Sequence, residues 1–135
     1  MAAEQALRNS DLTWAVVRFP FVYGDGDGHL AALPGHAASA NWHPAMRMST
    51  IHHRDIATAM ALALEGRFDG RVVNIADDLP ASMLDLIALG GGDIAAAAEP
   101  LTSPWAMQVD AALARSLGFH PTVHTVFHAA QEQIL

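Results

Sequence analysis

The chain has 135 residues, 52% of them apolar, with 14 acidic against 7 basic side chains and a formal net charge of −7. That is enough for one domain with a modest core, and the mean hydropathy of +0.21 excludes intrinsic disorder. The acidic balance without a basic stripe excludes a nucleic-acid partner, and the absence of cysteine excludes a disulfide framework or a thiolate site.

Ala2 to Arg8 is predicted as a short helix and Asn9-Ser10-Asp11 as a turn. Leu12 to Phe19 is a near-continuous apolar run, which suits a strand buried on both faces. Pro20 cannot donate to a ladder, so regular pairing is expected to stop there. Gly24 to Met46 reads as one long irregular segment, punctuated by glycines, Pro34-Gly35 and Pro44. His29, His36 and His43 recur every seven residues inside it, but Pro34-Gly35 is expected to break any helix that would align them.

Met48 to His53 suits a short strand. Asp55 then opens a helix with Ile56, Ala59, Met60, Ala63 and Leu64 on one face and Gly66 as its stop. Arg71 to Ala76 is a second buried strand. Ser82-x-x-Asp85 has the form of a capping box for a helix over Met83 to Leu89, ended by the triple glycine at 90–92. Asp110 is expected to cap a helix to Leu117, and Pro121-Thr122 to start a last helix reaching the C-terminus. The order is α/β, yet only two strands look fully buried. Two parallel strands cannot cover themselves, so the sheet is expected to be incomplete.

Several side chains could carry chemistry, each with a blander alternative. His52-His53 could turn an imidazole toward the Gly24–Met46 segment, or one of them could simply be packed beside the cap Asp55. Asp77-Asp78 could do acid–base work at the C-terminal end of a strand, or form a solvated turn before Pro80. His124, His128 and Glu132 share a stripe of the last predicted helix and could grip zinc, or face solvent. No residue is assigned as a metal ligand or as a catalytic group. No apolar run reaches the roughly 18 residues a membrane span needs, and "MAAEQALRNS" lacks the basic and apolar regions of a secretion signal. No membrane partner is expected, and a cytoplasmic location is.

The stretches "AEQAL", "VVRFPFVYGDGDG", "IHHRDIATAMALALE", "VVNIADDLPAS" and "DAALARSLGFHPT" follow one another in that order. Together they resemble the C-terminal half of the NAD(P)-dependent epimerase/dehydratase family, the extended short-chain dehydrogenase/reductases, from about Ala3 to Thr122. The resemblance implies the last strands of an incomplete Rossmann-like parallel sheet plus a small α/β substrate-binding subdomain. All 135 residues would form one substrate-side fragment, with the dinucleotide-binding half absent. It further implies hydride transfer with NAD or NADP in the intact protein. A glycine-rich phosphate turn and a Tyr-x-x-x-Lys pair would be needed for that. The chain holds neither, its seven cations all being arginine.

By the same resemblance, Phe19, Pro20, Phe21 and Val22 line the nicotinamide, and Phe21, Tyr23, Arg47 and His53 meet the substrate. Core packing is the alternative for Phe19 and Phe21, and plain surface charge is the alternative for Arg47. Family members that act on sugar nucleotides carry an arginine where Met48 stands and an asparagine where Phe21 stands; both departures suit a less charged substrate. The lysine of the pair would fall just ahead of Met1. The chain is therefore expected to be inactive alone. Its partners would be a small-molecule substrate in the intact protein and either the missing half or a second copy. The alternative is a non-catalytic binding or assembly module that completes its sheet with another chain or dimerises.

Overall fold

The computed structural model describes residues 2–135. Helix α1 (Ala2–Arg8) is tied to strand β1 (Val16–Arg18) by Glu4, whose carboxylate accepts from the Arg18 guanidinium at 2.6 and 3.1 Å. The predicted strand over Leu12–Phe19 is thus shorter than expected: Leu12 is exposed and only its last turn of alternation enters a ladder. Phe19 and Pro20 interrupt the pairing, as a residue without an N–H must, and it resumes with a new partner in β2 (Phe21–Tyr23).

The segment expected to be irregular holds helix α2 (His29–Ala40). Leu30, Leu33 and Ala37 are its buried positions, a helical spacing that the proline concealed. Pro34 forfeits one backbone bond, the one its missing N–H would give to the Leu30 carbonyl. Gly90 closes on that carbonyl so tightly that a Cβ there would lie 2.5 Å from its oxygen. His29 and His36 therefore do share a helix, against expectation, while His43 lies beyond its end and contacts the Glu99 carbonyl.

Strands β3 (Arg47–Met48) and β4 (Thr50–His52) lead into α3 (His53–Leu64). Its cap is His52, not Asp55: His52 Nδ1 accepts from the Arg54 amide at 3.2 Å. Ile56, Ala59, Leu62 and Ala63 pack inward, whereas Met60 and Leu64 stay exposed, so the buried face is rotated from the expected one. Strand β5 (Val72–Asn74) and strand β6 (Ala81–Ser82) follow, and then α4 (Met83–Leu89), which carries the predicted Ser82–Asp85 capping box. Helix α5 (Ala112–Ser116) begins where Asp110 accepts from the Ala112 amide at 2.8 Å. The last helix, α6 (Val126–Gln131), starts five residues later than Pro121 and ends before the C-terminus. Residues 122 and 123 instead donate their amides to Asp55, and Thr125 caps the helix.

β1 and β5 pair in parallel with Val17 opposite Val73, and β2 pairs in parallel with β4, Val22 opposite Ile51. β3 and β6 are antiparallel. Each of these strands has a single ladder partner among the described residues, so this is an incomplete Rossmann-like α/β arrangement with a smaller α/β lobe. Two apolar cores result. One joins α2, α4, α6 and the β3–β6 pair around Tyr23, Leu33, Met83 and Ile87. The other joins α3 and α5 to β4 and β5 around Ile51, Phe68, Val73 and Phe119.

Candidate functional site

The segment Phe19–Val22 crosses from one core to the other. Phe19 and Val22 lean on the second core, Phe21 on the first, and all four residues are half-buried. They form an apolar ledge with accessible surface, and core packing accounts for part of each phenylalanine. The ledge leads through Tyr23 into Gly24, where φ is +117° and a Cβ would lie 2.1 Å from His52 Nε2. Only glycine lets the chain pass that ring. The ring itself is fully buried, with Nε2 donating to the Ile134 carbonyl at 2.8 Å while Nδ1 caps α3.

Gly24, Gly26 and Gly28 lie in a strand–loop–helix connection, which sequence reading missed along with α2. That topology is the one that cradles phosphates elsewhere, but this loop is chemically unsuited to it. The Asp25 and Gly26 amides donate to the Ile134 and Leu135 carbonyls, and the Asp27 amide donates to the Gly24 carbonyl. The His29 amide donates to Asp27 Oδ1. With those four donors spent and two carboxylates in the loop, a pyrophosphate is disfavoured there.

At the helix starts beyond the loop stand His29 and His53. Their ring centroids are 6.1 Å apart, and that of His29 is 6.4 Å from Phe21. Asp27 Oδ2 lies 2.9 Å from His29 Nδ1 and 2.7 Å from His53 Nε2. His29 thus stands between Phe21 and His53, although sequence reading had dismissed it with its periodicity. Arg47 is exposed on the other small sheet and donates to the Pro80 carbonyl at 3.2 Å. Tyr23 is wholly inside, edge-on to His52 at 5.2 Å, and its hydroxyl has no hydrogen-bond partner. Burial pushes that phenol above its ordinary range, with the carboxylates of Asp77 and Asp55 adding to the effect.

Asp77 is buried rather than part of a solvated turn, and accepts from the Thr50 hydroxyl. Desolvation pushes its carboxyl up to about 7, against the Thr50 and Leu79 donors. Asp78, next to it, is half-exposed and bridges Arg115 and His124, each at 2.8 Å. His124 and His128 stack at 5.8 Å, but His124 precedes α6, so the expected three-residue stripe is not one helix face. A separate open cavity of about 480 Å³ lies between the second half of α2, Trp42 and the alanine-rich stretch 94–98. None of the expected site residues lines it.

No protein-family model and no curated protein matches this sequence. Solved structures do. A UDP-glucose 4-epimerase of Thermotoga maritima, crystallised with UDP-glucose, superposes on 97% of this chain and 48% of its own at a TM-score of 0.63 and 21% identity. The fold is that of half an epimerase/dehydratase chain. An NAD-dependent epimerase/dehydratase, so designated, of Methylobacillus flagellatus covers 98% of this chain and 50% of its own at 0.61 and 19%. Pal of Bacillus thuringiensis covers 96% and 50% at 0.64 and 18%. The chain spans about half the length of each epimerase-like structure it matches. At these identities the likeness fixes the fold of the ledge-bearing strand and its partner, not the chemistry done there.

Proposed function

We propose that the chain is the substrate-side, C-terminal portion of an NAD(P)-dependent oxidoreductase or epimerase that works by hydride transfer, and that it is inactive alone. The observation that carries this reading is the parallel Val17–Val73 register on a two-stranded sheet, within a fold that covers about half of each matched structure. Phe19, Pro20, Phe21 and Val22 present the flat apolar surface on which a nicotinamide ring rests in a water-poor pocket. When bound, that ring supplies the hydride acceptor or donor. Phe21 and His53 meet the substrate, whereas Tyr23, expected there too, is fully buried, and Arg47 donates to the Pro80 carbonyl on a different small sheet. The dinucleotide phosphates and the proton-transferring pair belong to a further segment, acting with this one in the cytoplasm.

Titration of NADH fluorescence with these 135 residues should show no saturable change through the micromolar range. Tight binding, or turnover of any substrate by this chain unaided, would defeat the reading. The assembly reading draws on a different observation: Leu64 is 88% and Met60 43% exposed on α3. Apolar area left open in this way favours association with a second copy or another chain. Light scattering on the purified chain separates the two, since the assembly reading requires a concentration-dependent rise above monomer mass.

A further inference from the structure

We propose that Asp27, His29 and His53 form a binding site for one divalent transition-metal ion of the zinc type. Their three ligand atoms lie within 4.8 Å of one another. The placement is built into the fold. His29 and His53 are the first residues of two 12-residue helices, which hold their backbones in place. Asp27 sits between Gly26 and Gly28, both left-handed, and its Oδ1 is held by the His29 amide at 2.8 Å. That leaves Oδ2 aimed at both imidazoles, 2.9 Å from His29 Nδ1 and 2.7 Å from His53 Nε2.

The carboxylate lies beneath the rings: its side chain is 17% exposed, against 55% for His29 and 41% for His53. An ion arriving from solvent meets two ring nitrogens and one carboxylate oxygen, and keeps at least one position open to water. Two imidazoles and a single carboxylate suit zinc, nickel or copper; calcium and magnesium prefer an all-oxygen set of higher number. Asp25, the other carboxylate of the loop, is held by both Arg54 Nε and Nη2 and does not join the set. His29 Nδ1 also lies 3.0 Å from the Val22 carbonyl, so in the metal-free state it carries a proton shared between two acceptors. Metal binding needs the lone pairs of His29 Nδ1 and His53 Nε2, so in each neutral ring the proton moves to the other ring nitrogen. The two helix N-termini oppose a cation and so lower its affinity. The proposal does not rest on the hydride-transfer reading.

Calorimetric titration of the whole chain with zinc chloride tests it, with cobalt(II) absorption as a second readout. One saturable zinc per chain is expected, together with the visible bands of low-coordinate cobalt. Asp27→Asn and His53→Gln should each weaken zinc by about tenfold or more and remove the cobalt bands. The double variant His124→Gln/His128→Gln should leave both signals unchanged. If Asp27→Asn loses the fold by circular dichroism, His29→Gln and His53→Gln, which keep the Asp27 bond to the residue-29 amide, carry the decision. Absence of saturable binding up to millimolar zinc would overturn the proposal. So would binding that is lost with His124 and His128 and kept without His53.

Discussion

Asp77 is where a single residue most constrains the molecule. Its folded carboxyl is raised to about 7 from the ordinary 3.8, chiefly by burial. The fold therefore prefers the protonated form. The preference is fully satisfied below about pH 4, is lost progressively as pH rises toward 7, and then levels off at about 4 kcal/mol. Asp77→Asn keeps an acceptor for Thr50 and removes the titration. Thermal midpoints measured from pH 4 to 8 should fall through this window in the wild type and fall less in the variant; parallel profiles would contradict the assignment. Tyr23 gives a companion test. Its buried hydroxyl has no partner, so Tyr23→Phe should leave stability unchanged or raise it by up to about 1 kcal/mol in chemical denaturation. Asp55 shows the opposite case. Its carboxylate accepts from the Thr122 amide at 2.7 Å, the Thr122 hydroxyl at 2.7 Å and the Val123 amide at 3.0 Å. Asp55→Ala should cost about 3 kcal/mol in the same measurement, well beyond the roughly 1 kcal/mol of a lost helix cap, because two amides would be left unpaired.

Among the elements, α2 and α4 make the contact that shapes the smaller lobe. Their approach depends on the glycines after α4. A Cβ at Gly90 would meet the Leu30 carbonyl at 2.5 Å and one at Gly92 would meet the Pro34 ring at 2.6 Å. Because one of those neighbours is backbone, the helices must separate to admit a methyl group. Gly90→Ala is expected to destabilise by about 2 kcal/mol, read from urea midpoints at constant m-value. In a solvent-exposed helix stop the same change would be nearly silent. Pro34 and Gly90 thus act together: one removes a backbone donor and the other brings the chain close to the carbonyl left behind.

At the scale of the whole molecule, two apolar cores meet along Phe19–Val22, with β1 and β2 leaning on different partners. The break at Pro20 is what lets one extended segment serve both. It also leaves Phe21 beside His29, whose ring neighbours His53. The ladder of β1 and β5 is open at its far edges among the described residues, which is the physical reason to expect a further segment or chain against it.

The residues alone determined the α/β class, the β1–β5 strands, the stop at Pro20, the Ser82–Asp85 box and the resemblance that the solved epimerase-like structures bear out at the level of fold. These are local signals, written in periodicity and in capping and breaking residues, and neighbouring atoms suffice to enforce them. Tertiary structure decided what distant residues owe each other. Pro34 forbids a helix only if nothing else stabilises it, and Leu30, Leu33 and Ala37, buried against α4, supply that stabilisation. Asp55 looked like a cap because Thr122 is 67 residues away, and nothing local marked Asp27, whose partner His53 is 26 away. Side chains so far apart in sequence meet only after packing has fixed both backbones, so their hydrogen bonds could not be read before the fold was known.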